Sequence, residues 1–205
     1  MTPSRRAAME AWPPAWPAAR TGLLAFGLLV AAVAPAVRAD EPALASLFKT
    51  LDLRGYTSRT MPPQFSGSTL EARQLSMTEH RGMVIVLNFW ATWCLECRPE
   101  MAVLERLQRE FSSRGLAIIG INARENKEAV RRYAKELGLT FPLVLDRDGK
   151  INALYGVIGL PTTFVVGRDG RAIAFAIGPR QWESAPARAL IAALLAEPVP
   201  GPAPR

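Results

Sequence analysis

The feature that most constrains the fold of this chain is a strand–turn–helix pattern that carries both of its cysteines. Residues 83–90 (MVIVLNFW) form a mostly apolar, β-branched run, which predicts a buried strand. Apolar residues then recur at helical spacing from Cys94 to Ser113. The pattern therefore predicts that Cys94 and Cys97 lie at the carboxyl end of a central strand, where α/β sheets place their functional sites.

The remaining periodic segments predict an α/β fold. The predicted strands cover 116–122, 162–166 and 172–177, with a short extended piece over 141–145, and the predicted helices cover 127–137, 151–155 and 182–196. Residues 40–68 lack such a pattern and are predicted to be irregular. The order of these elements predicts a central mixed β-sheet flanked by helices on both faces, preceded by an N-terminal signal or anchor helix.

These patterns divide the 205 residues into four segments. They are an export signal or membrane anchor over 1–39, a lead-in linker over 40–59, one folded domain over 60–196 and a flexible, proline-rich tail over 197–205. The net charge of +7 is modest and is spread through the domain, so we expect no nucleic-acid partner. We expect the folded domain to act as a monomer.

The amino terminus carries an arginine-containing region followed by an uncharged, mostly apolar run over 21–37. This order is typical of an export signal, and small residues around Ala39 offer a cleavage site. The run is also almost long enough to stay in the inner membrane as an anchor, although Pro35 shortens the helix, and a buried core helix is a third possibility. The first two alternatives place residues 40–205 in the periplasm, where disulfides persist.

Two cysteines separated by two residues suit redox chemistry better than a scaffold disulfide, which usually closes a longer loop. The first turn of a helix stabilises a thiolate, which is the attacking species in thiol–disulfide exchange. We expect Cys94 to lie at an exposed tip and act as the nucleophile. Cys97, one turn further, is expected to be partly covered and to resolve the mixed disulfide.

Other uses of the cysteine pair remain open at this stage. His80 is the one histidine of the chain, so a zinc site would lack ligands, and Arg98 stands where haem attachment needs a histidine. We therefore expect no resident metal or cofactor. Two thiolates would nevertheless suit Cu(I), so a copper-carrying module is an alternative function. A purely structural disulfide is the other alternative.

Two separate motifs carry a family resemblance. Residues 88–101 (NFWATWCLECRPEM) and residues 155–164 (YGVIGLPTTF) resemble the active-site segment and the cis-proline loop of the TlpA/ResA-like thioredoxins. The resemblance implies a thioredoxin-like fold and dithiol–disulfide exchange in the bacterial envelope. It also implies substrates such as apocytochrome c or the copper-site cysteines of cytochrome oxidase, and a membrane thiol-electron transporter as the reductant. A disulfide-forming oxidant is the alternative within this class.

The resemblance also implies roles for individual residues. Pro161 would be cis and face the cysteines, and Leu160 would pair its backbone with a bound peptide. Trp93 would shield the disulfide with its indole. Glu100 would accept a proton from the buried thiol, since Asn88 cannot titrate where thioredoxin itself has a buried aspartate. An ordinary turn at Pro161, plain packing of Trp93 and a solvated Glu100 are the competing interpretations.

Overall fold

The computed structural model describes residues 41–199 and residue 201. The predicted export signal or membrane anchor over 1–39 lies outside the described residues. Among the helices that are described, none has the length and apolar character needed to cross a bilayer.

The described residues form five α-helices and eight β-strands. The helices are α1 (Glu41–Thr50), α2 (Cys97–Phe111), α3 (Lys127–Leu137), α4 (Lys150–Leu154) and α5 (Ala185–Ala196). The strands are β1 (Arg54–Thr60), β2 (Ser66–Ser68), β3 (Gln74–Ser76), β4 (Val84–Trp90), β5 (Leu116–Ala123), β6 (Leu143–Asp146), β7 (Thr162–Val166) and β8 (Ala172–Ile177).

Six strands form one mixed sheet in the order β1-β8-β7-β4-β5-β6. Strands β4, β5 and β6 run parallel, whereas β7 is antiparallel to both β4 and β8, and β8 is antiparallel to β1. The predicted mixed sheet is therefore confirmed. The central position of β4 follows from its composition, because every one of its side chains is buried and only a strand covered on both faces can accommodate them.

The pleat of β4 divides its side chains between two cores. Val84, Val86 and Trp90 face the first core, which α1, α2, α3 and α5 cover, whereas Ile85 and Phe89 face the second. The second core is closed by α4 and by the two-stranded β2–β3 sheet. Helices thus flank both faces, as predicted, although among the described residues the second face is covered by one short α-helix and a hairpin.

The predicted irregular lead-in over 40–68 is wrong. Helix α1 packs its buried Leu44 into the first core, and β1 forms the edge of the main sheet by pairing with β8. The sequence of β1, RGYTSRT, is almost entirely exposed, because an edge strand needs no apolar run. The lead-in linker expected over 40–59 is therefore occupied by a helix and most of an edge strand.

Several other bounds differ from the prediction, most of them by one or two residues. Helix α2 begins at Cys97 rather than at Cys94, and α5 begins at Ala185, where the Ser184 side chain caps its first turn. The first residue of the tail predicted to be flexible, Glu197, is packed against the domain. It is buried, and its carboxylate accepts two hydrogen bonds from Arg59.

Candidate active site

Cys94 and Cys97 are joined by a disulfide at the junction of β4 and α2. Their sulfur atoms are 2.11 Å apart and their Cα atoms 5.3 Å apart. Cys97 is the first residue of α2, and Cys94 lies in the turn that connects β4 to this helix. The two sulfurs predicted to meet at the start of a helix therefore do so.

The start of α2 supplies the local electrostatics of the pair. The main-chain N–H of Cys97 donates a hydrogen bond to Sγ of Cys94 over 3.2 Å. Glu96, the N-cap residue, makes no side-chain hydrogen bond to the first turn, so its carboxylate does not occupy the free N–H groups that give the helix start its partial positive charge. This arrangement favours negative charge on Cys94 once the disulfide is reduced.

Both cysteines are more buried than the sequence suggested. Cys94 is 7% exposed rather than lying at an open tip, and Cys97 is 1% exposed. The reason is that the turn carrying Cys94 packs against the first core instead of protruding from it. Cys94 remains the more accessible of the two, which keeps the predicted order of nucleophile and resolving cysteine.

The peptide bond between Leu160 and Pro161 is cis, as the resemblance implied. Pro161 immediately precedes β7, whose first residue, Thr162, is in register with Phe89 near the end of β4. The carbonyl of Pro161 accepts a hydrogen bond from the N–H of Gly178. Pro161 is therefore held beside the carboxyl end of β4, where the turn that carries Cys94 begins.

Three large apolar side chains, here called the apolar rim, are exposed on the segments that carry Cys94 and Pro161. Trp93 is 68% exposed, Leu95 88% and Ile158 86%. Trp93 lies in the turn before α2, outside the packed core, and most of its surface faces solvent. That its indole shields the disulfide stays a prediction. Three large exposed apolar side chains on the segments that carry Cys94 and Pro161 are typical of a surface that contacts another molecule.

Glu100 lies one turn after Cys97 in α2 and is 3% exposed. Its Oε1 accepts a hydrogen bond from the indole Nε1 of Trp182 and a longer one, 3.5 Å, from the hydroxyl of Thr163. Its Oε2 is buried and has no hydrogen-bond partner. Burial raises the pKa of Glu100 to about 7, against the opposing effect of the Trp182 hydrogen bond and the charge of Arg180.

Asn88 is also connected to this carboxylate. Its Nδ2 donates a hydrogen bond of 2.8 Å to Oγ1 of Thr163, whose hydroxyl in turn reaches Glu100. Asn88 therefore supports Glu100 through Thr163 without itself carrying charge. Sequence reasoning placed Asn88 and Glu100 on separate elements and did not detect that Thr163 joins them.

Two residues of the site were missed by sequence reasoning. The helical pattern over 182–196 gives Trp182 no role in the site, and its contact with Glu100 spans 82 positions of the chain. Glu125 was not singled out. It accepts hydrogen bonds from Thr92 and Asn122 and so connects β5 to the turn that carries Cys94. The one available signal was its position just after the carboxyl end of a buried strand, where functional residues gather.

The described residues contain no group of three or more histidine, cysteine, aspartate or glutamate side chains that could share a metal ion. The groups available for chemistry at the end of β4 are thus a disulfide, a carboxylate whose pKa lies near neutrality and a rim of apolar side chains.

A mixed sheet with a cysteine pair at the start of the helix after its central strand, and a cis-proline loop beside that strand, defines a thiol–disulfide oxidoreductase of the thioredoxin class. The chain belongs to the AhpC/TSA family, whose model matches residues 59–174.

Known proteins agree with this assignment. Over 134 residues the chain is 37% identical to the thiol-disulfide oxidoreductase ResA of Geobacillus thermodenitrificans (strain NG80-2). The aligned part covers 62% of this chain and 77% of that protein. A thiol:disulfide interchange protein of the thioredoxin family from Chlorobium tepidum TLS superposes with a TM-score of 0.61 at 30% identity, covering 68% of this chain and 99% of that one. A putative DsbE from Chlorobium tepidum shares the fold, with a TM-score of 0.62 at 24% identity over 67% of this chain and 96% of its own.

Proposed function

We propose that this enzyme is a reductant of selected disulfides in exported proteins, and that it works in the periplasm. The observation that carries the proposal is the buried Glu100, whose pKa is about 7 and which lies one helical turn behind the Cys94–Cys97 pair. A thiol pair with its own proton acceptor is equipped to give up protons and electrons together.

The reaction begins with the reduced pair. The Cys94 thiolate attacks one sulfur of a substrate disulfide, and a mixed disulfide forms while the other substrate sulfur leaves as a thiolate and takes a proton from water. The thiol of Cys97 then passes its proton to the Glu100 carboxylate. The resulting Cys97 thiolate attacks Sγ of Cys94, and the second substrate sulfur leaves as a thiolate, which takes up the proton that Glu100 has accepted. Two electrons have moved to the substrate, and the enzyme holds the disulfide seen here.

The geometry supports Glu100 as the proton acceptor of the second step. Cys97 is 1% exposed, so bulk water has poor access to its thiol. Glu100 lies three residues further along α2, on the same helix face, and its Oε2 is not committed to any hydrogen bond. A carboxylate with a pKa near 7 is ionised for part of the time at neutral pH and can take the proton.

The substrate binds where Pro161 and the apolar rim meet. An extended segment of the substrate pairs with the backbone at Leu160, in the manner of an added strand, which brings its disulfide to Cys94. The exposed side chains of Trp93, Leu95 and Ile158 contact apolar residues next to the substrate cysteine. Apocytochrome c and copper-site cysteines of cytochrome oxidase are the substrate classes that we favour, and a membrane thiol-electron transporter restores the dithiol.

The periplasmic location rests on the sequence. The arginine-containing region and the apolar run over 21–37 are typical of an export signal or an anchor. A thiol pair that cycles through a disulfide also suits a compartment in which disulfides persist.

A trapping experiment tests the proposal. A Cys97→Ala variant expressed from the full chain should retain its substrate as a mixed disulfide through Cys94, because the resolving sulfur is gone. Cys94→Ala is the matched control and should retain none. Recovery of exported cysteine-containing proteins with Cys97→Ala alone supports the proposal. Equal recovery with both variants, or a reduction potential close to that of disulfide-forming oxidants (roughly −120 mV), contradicts it.

A further inference from the structure

Trp182 lies in the segment that joins β8 to α5, three residues before α5 begins. It is 1% exposed and is among the largest fully buried side chains of the described residues. A buried indole N–H needs an acceptor, and the acceptor of Trp182 is a charged group, Oε1 of Glu100. Neither the sequence motifs nor the family resemblance assigns a role to this residue.

The two oxygens of Glu100 differ because of this contact. Oε1 accepts from both Trp182 and Thr163, whereas Oε2 accepts from neither and is buried. A carboxylate held at one oxygen cannot rotate freely, so the same oxygen always remains available. The indole thus fixes which oxygen of Glu100 can take a proton.

The segment that carries Trp182 is itself fixed in place. The Arg180 guanidinium donates hydrogen bonds to the carbonyl oxygens of Asp52, Gly178 and Pro179 and to the carboxylate of Asp52. Asp52 lies in the turn between α1 and β1. Two segments that are distant along the chain are therefore joined two residues before Trp182, which limits movement of the segment that carries the indole.

The charged groups around Glu100 come from two elements. Glu96 precedes Glu100 by one turn, at the start of α2. Arg180 and Glu183 lie on the β8–α5 segment, and these residues line one surface groove together with Glu100. Strands β4 and β7 contribute the neutral groups of Asn88 and Thr163. Trp182 and Thr163 are the side chains that donate hydrogen bonds to the carboxylate, and the main chain at Arg180 also faces it.

We propose that Trp182 is a positioning residue for thiol–disulfide exchange, because its indole N–H orients the Glu100 carboxylate so that Oε2 receives the proton of Cys97 in the resolving step. This inference rests on the proton-acceptor role proposed for Glu100. It adds a residue whose indole N–H bonds to Glu100 and which acts on the exchange through that carboxylate.

The test measures the resolving step of the full chain in a single turnover. The reduced enzyme is mixed with glutathione disulfide, and release of the second glutathione is followed as a function of pH. We expect an inflection near the pKa of Glu100, about 7, in the parent chain. Trp182→Phe removes the N–H but keeps an aromatic ring, and should move the inflection upward by about one pH unit, since a donor to the ionised form is lost.

Two control variants separate the inference from the function on which it rests. Glu100→Gln should abolish the inflection, and adding Trp182→Phe to it should change the profile no further. Trp90→Phe removes another fully buried indole and should leave the inflection in place. If Trp182→Phe leaves the inflection at the parent pH while Glu100→Gln abolishes it, the role of Trp182 is overturned and that of Glu100 stands. An inflection that survives Glu100→Gln removes the proposed role of Glu100, and the inference falls with it.

A second measurement avoids any change to Trp182, in case Trp182→Phe does not fold. In the reduced parent chain labelled with ¹⁵N at its indoles, the Trp182 resonance should titrate with the same midpoint as the resolving step. The titration should vanish in Glu100→Gln. A Trp182 resonance that stays constant from below to above this midpoint contradicts the proposal.

Discussion

Glu125 accepts hydrogen bonds from both the main-chain N–H and the hydroxyl of Thr92, two residues before Cys94. The N–H bond is 2.7 Å long, and Nδ2 of Asn122 donates a further bond of 2.7 Å to the same carboxylate. Asn122 belongs to β5 and Thr92 to the turn after β4. One carboxylate therefore ties the turn that carries the nucleophile to the neighbouring strand.

Removal of this carboxylate should loosen the turn. We expect Glu125→Ala to lower the free energy of unfolding by about 2 kcal/mol, because hydrogen bonds to a charged group are lost together. We also expect faster hydrogen exchange at the Thr92 N–H and slower attack of Cys94 on a disulfide. Denaturant unfolding, exchange and stopped-flow kinetics measure the three effects. Glu128→Ala, an exposed position in α3, is the control. Equal losses in both variants would show that Glu125 does not hold the turn.

The stability of the protein should depend on pH through Glu100. Its pKa of about 7 in the folded chain lies above its usual value of 4.5, so the folded state binds more protons than the unfolded state between these two pH values. The stability contributed by protonated Glu100 is thus fully present below pH 4.5 and is lost as the pH rises to about 7. Relative to Glu100→Gln, we expect a loss of about 3 kcal/mol across this window in denaturant unfolding at a series of pH values. A difference between parent and variant that does not change with pH would contradict the raised pKa.

The parts of the fold that the sequence predicts correctly are those with strong local signals. The bounds of β7 and β8 agree with the prediction residue for residue, because two apolar runs flank an Asp-Gly turn. The sequence also predicts the place of β4 and of the cysteine pair, because a buried strand needs an apolar run and helix α2 shows a regular apolar face. The edge strand β1 has no such signal, because it is exposed and its pairing with β8 depends on residues far along the chain.

The same distinction applies to the site. Cys94 and Cys97 are neighbours in sequence, so their spacing alone predicts that they can meet. The contact between Glu100 and Trp182 is made by tertiary packing of α2 against the β8–α5 segment, and no local pattern encodes it. The high exposure of Trp93 is not predicted for a related reason, because the exposure of a turn residue follows from the packing around the turn.

Arg59 and Glu197 join β1 to the end of α5 through two parallel hydrogen bonds of 2.9 and 2.7 Å. Glu197 is 6% exposed, so Arg59→Ala leaves a buried carboxylate without its main partner. We expect a loss of about 2 kcal/mol in the free energy of unfolding. Arg106→Ala breaks the pair with Glu183, in which both side chains are exposed, and should cost less than about 1 kcal/mol. Calorimetry measures the free energy of unfolding of both variants. A smaller loss of this free energy for Arg59→Ala than for Arg106→Ala would contradict the prediction that the buried pair contributes more.

Glu96 lies between the two cysteines, is exposed and makes no side-chain hydrogen bond to the start of α2. Its negative charge therefore opposes the Cys94 thiolate and disfavours the reduced form, which makes the pair more reducing. Glu96→Gln should raise the reduction potential by an amount on the order of 10 mV, measured by equilibration with glutathione, and high salt should shrink the difference because the charge is exposed. Glu110→Gln removes a charge from the last turns of α2, about 20 Å along the helix from Cys97, and should leave the potential unchanged. Equal potentials for the parent chain and Glu96→Gln at low salt would show that the charge between the cysteines does not set their redox balance.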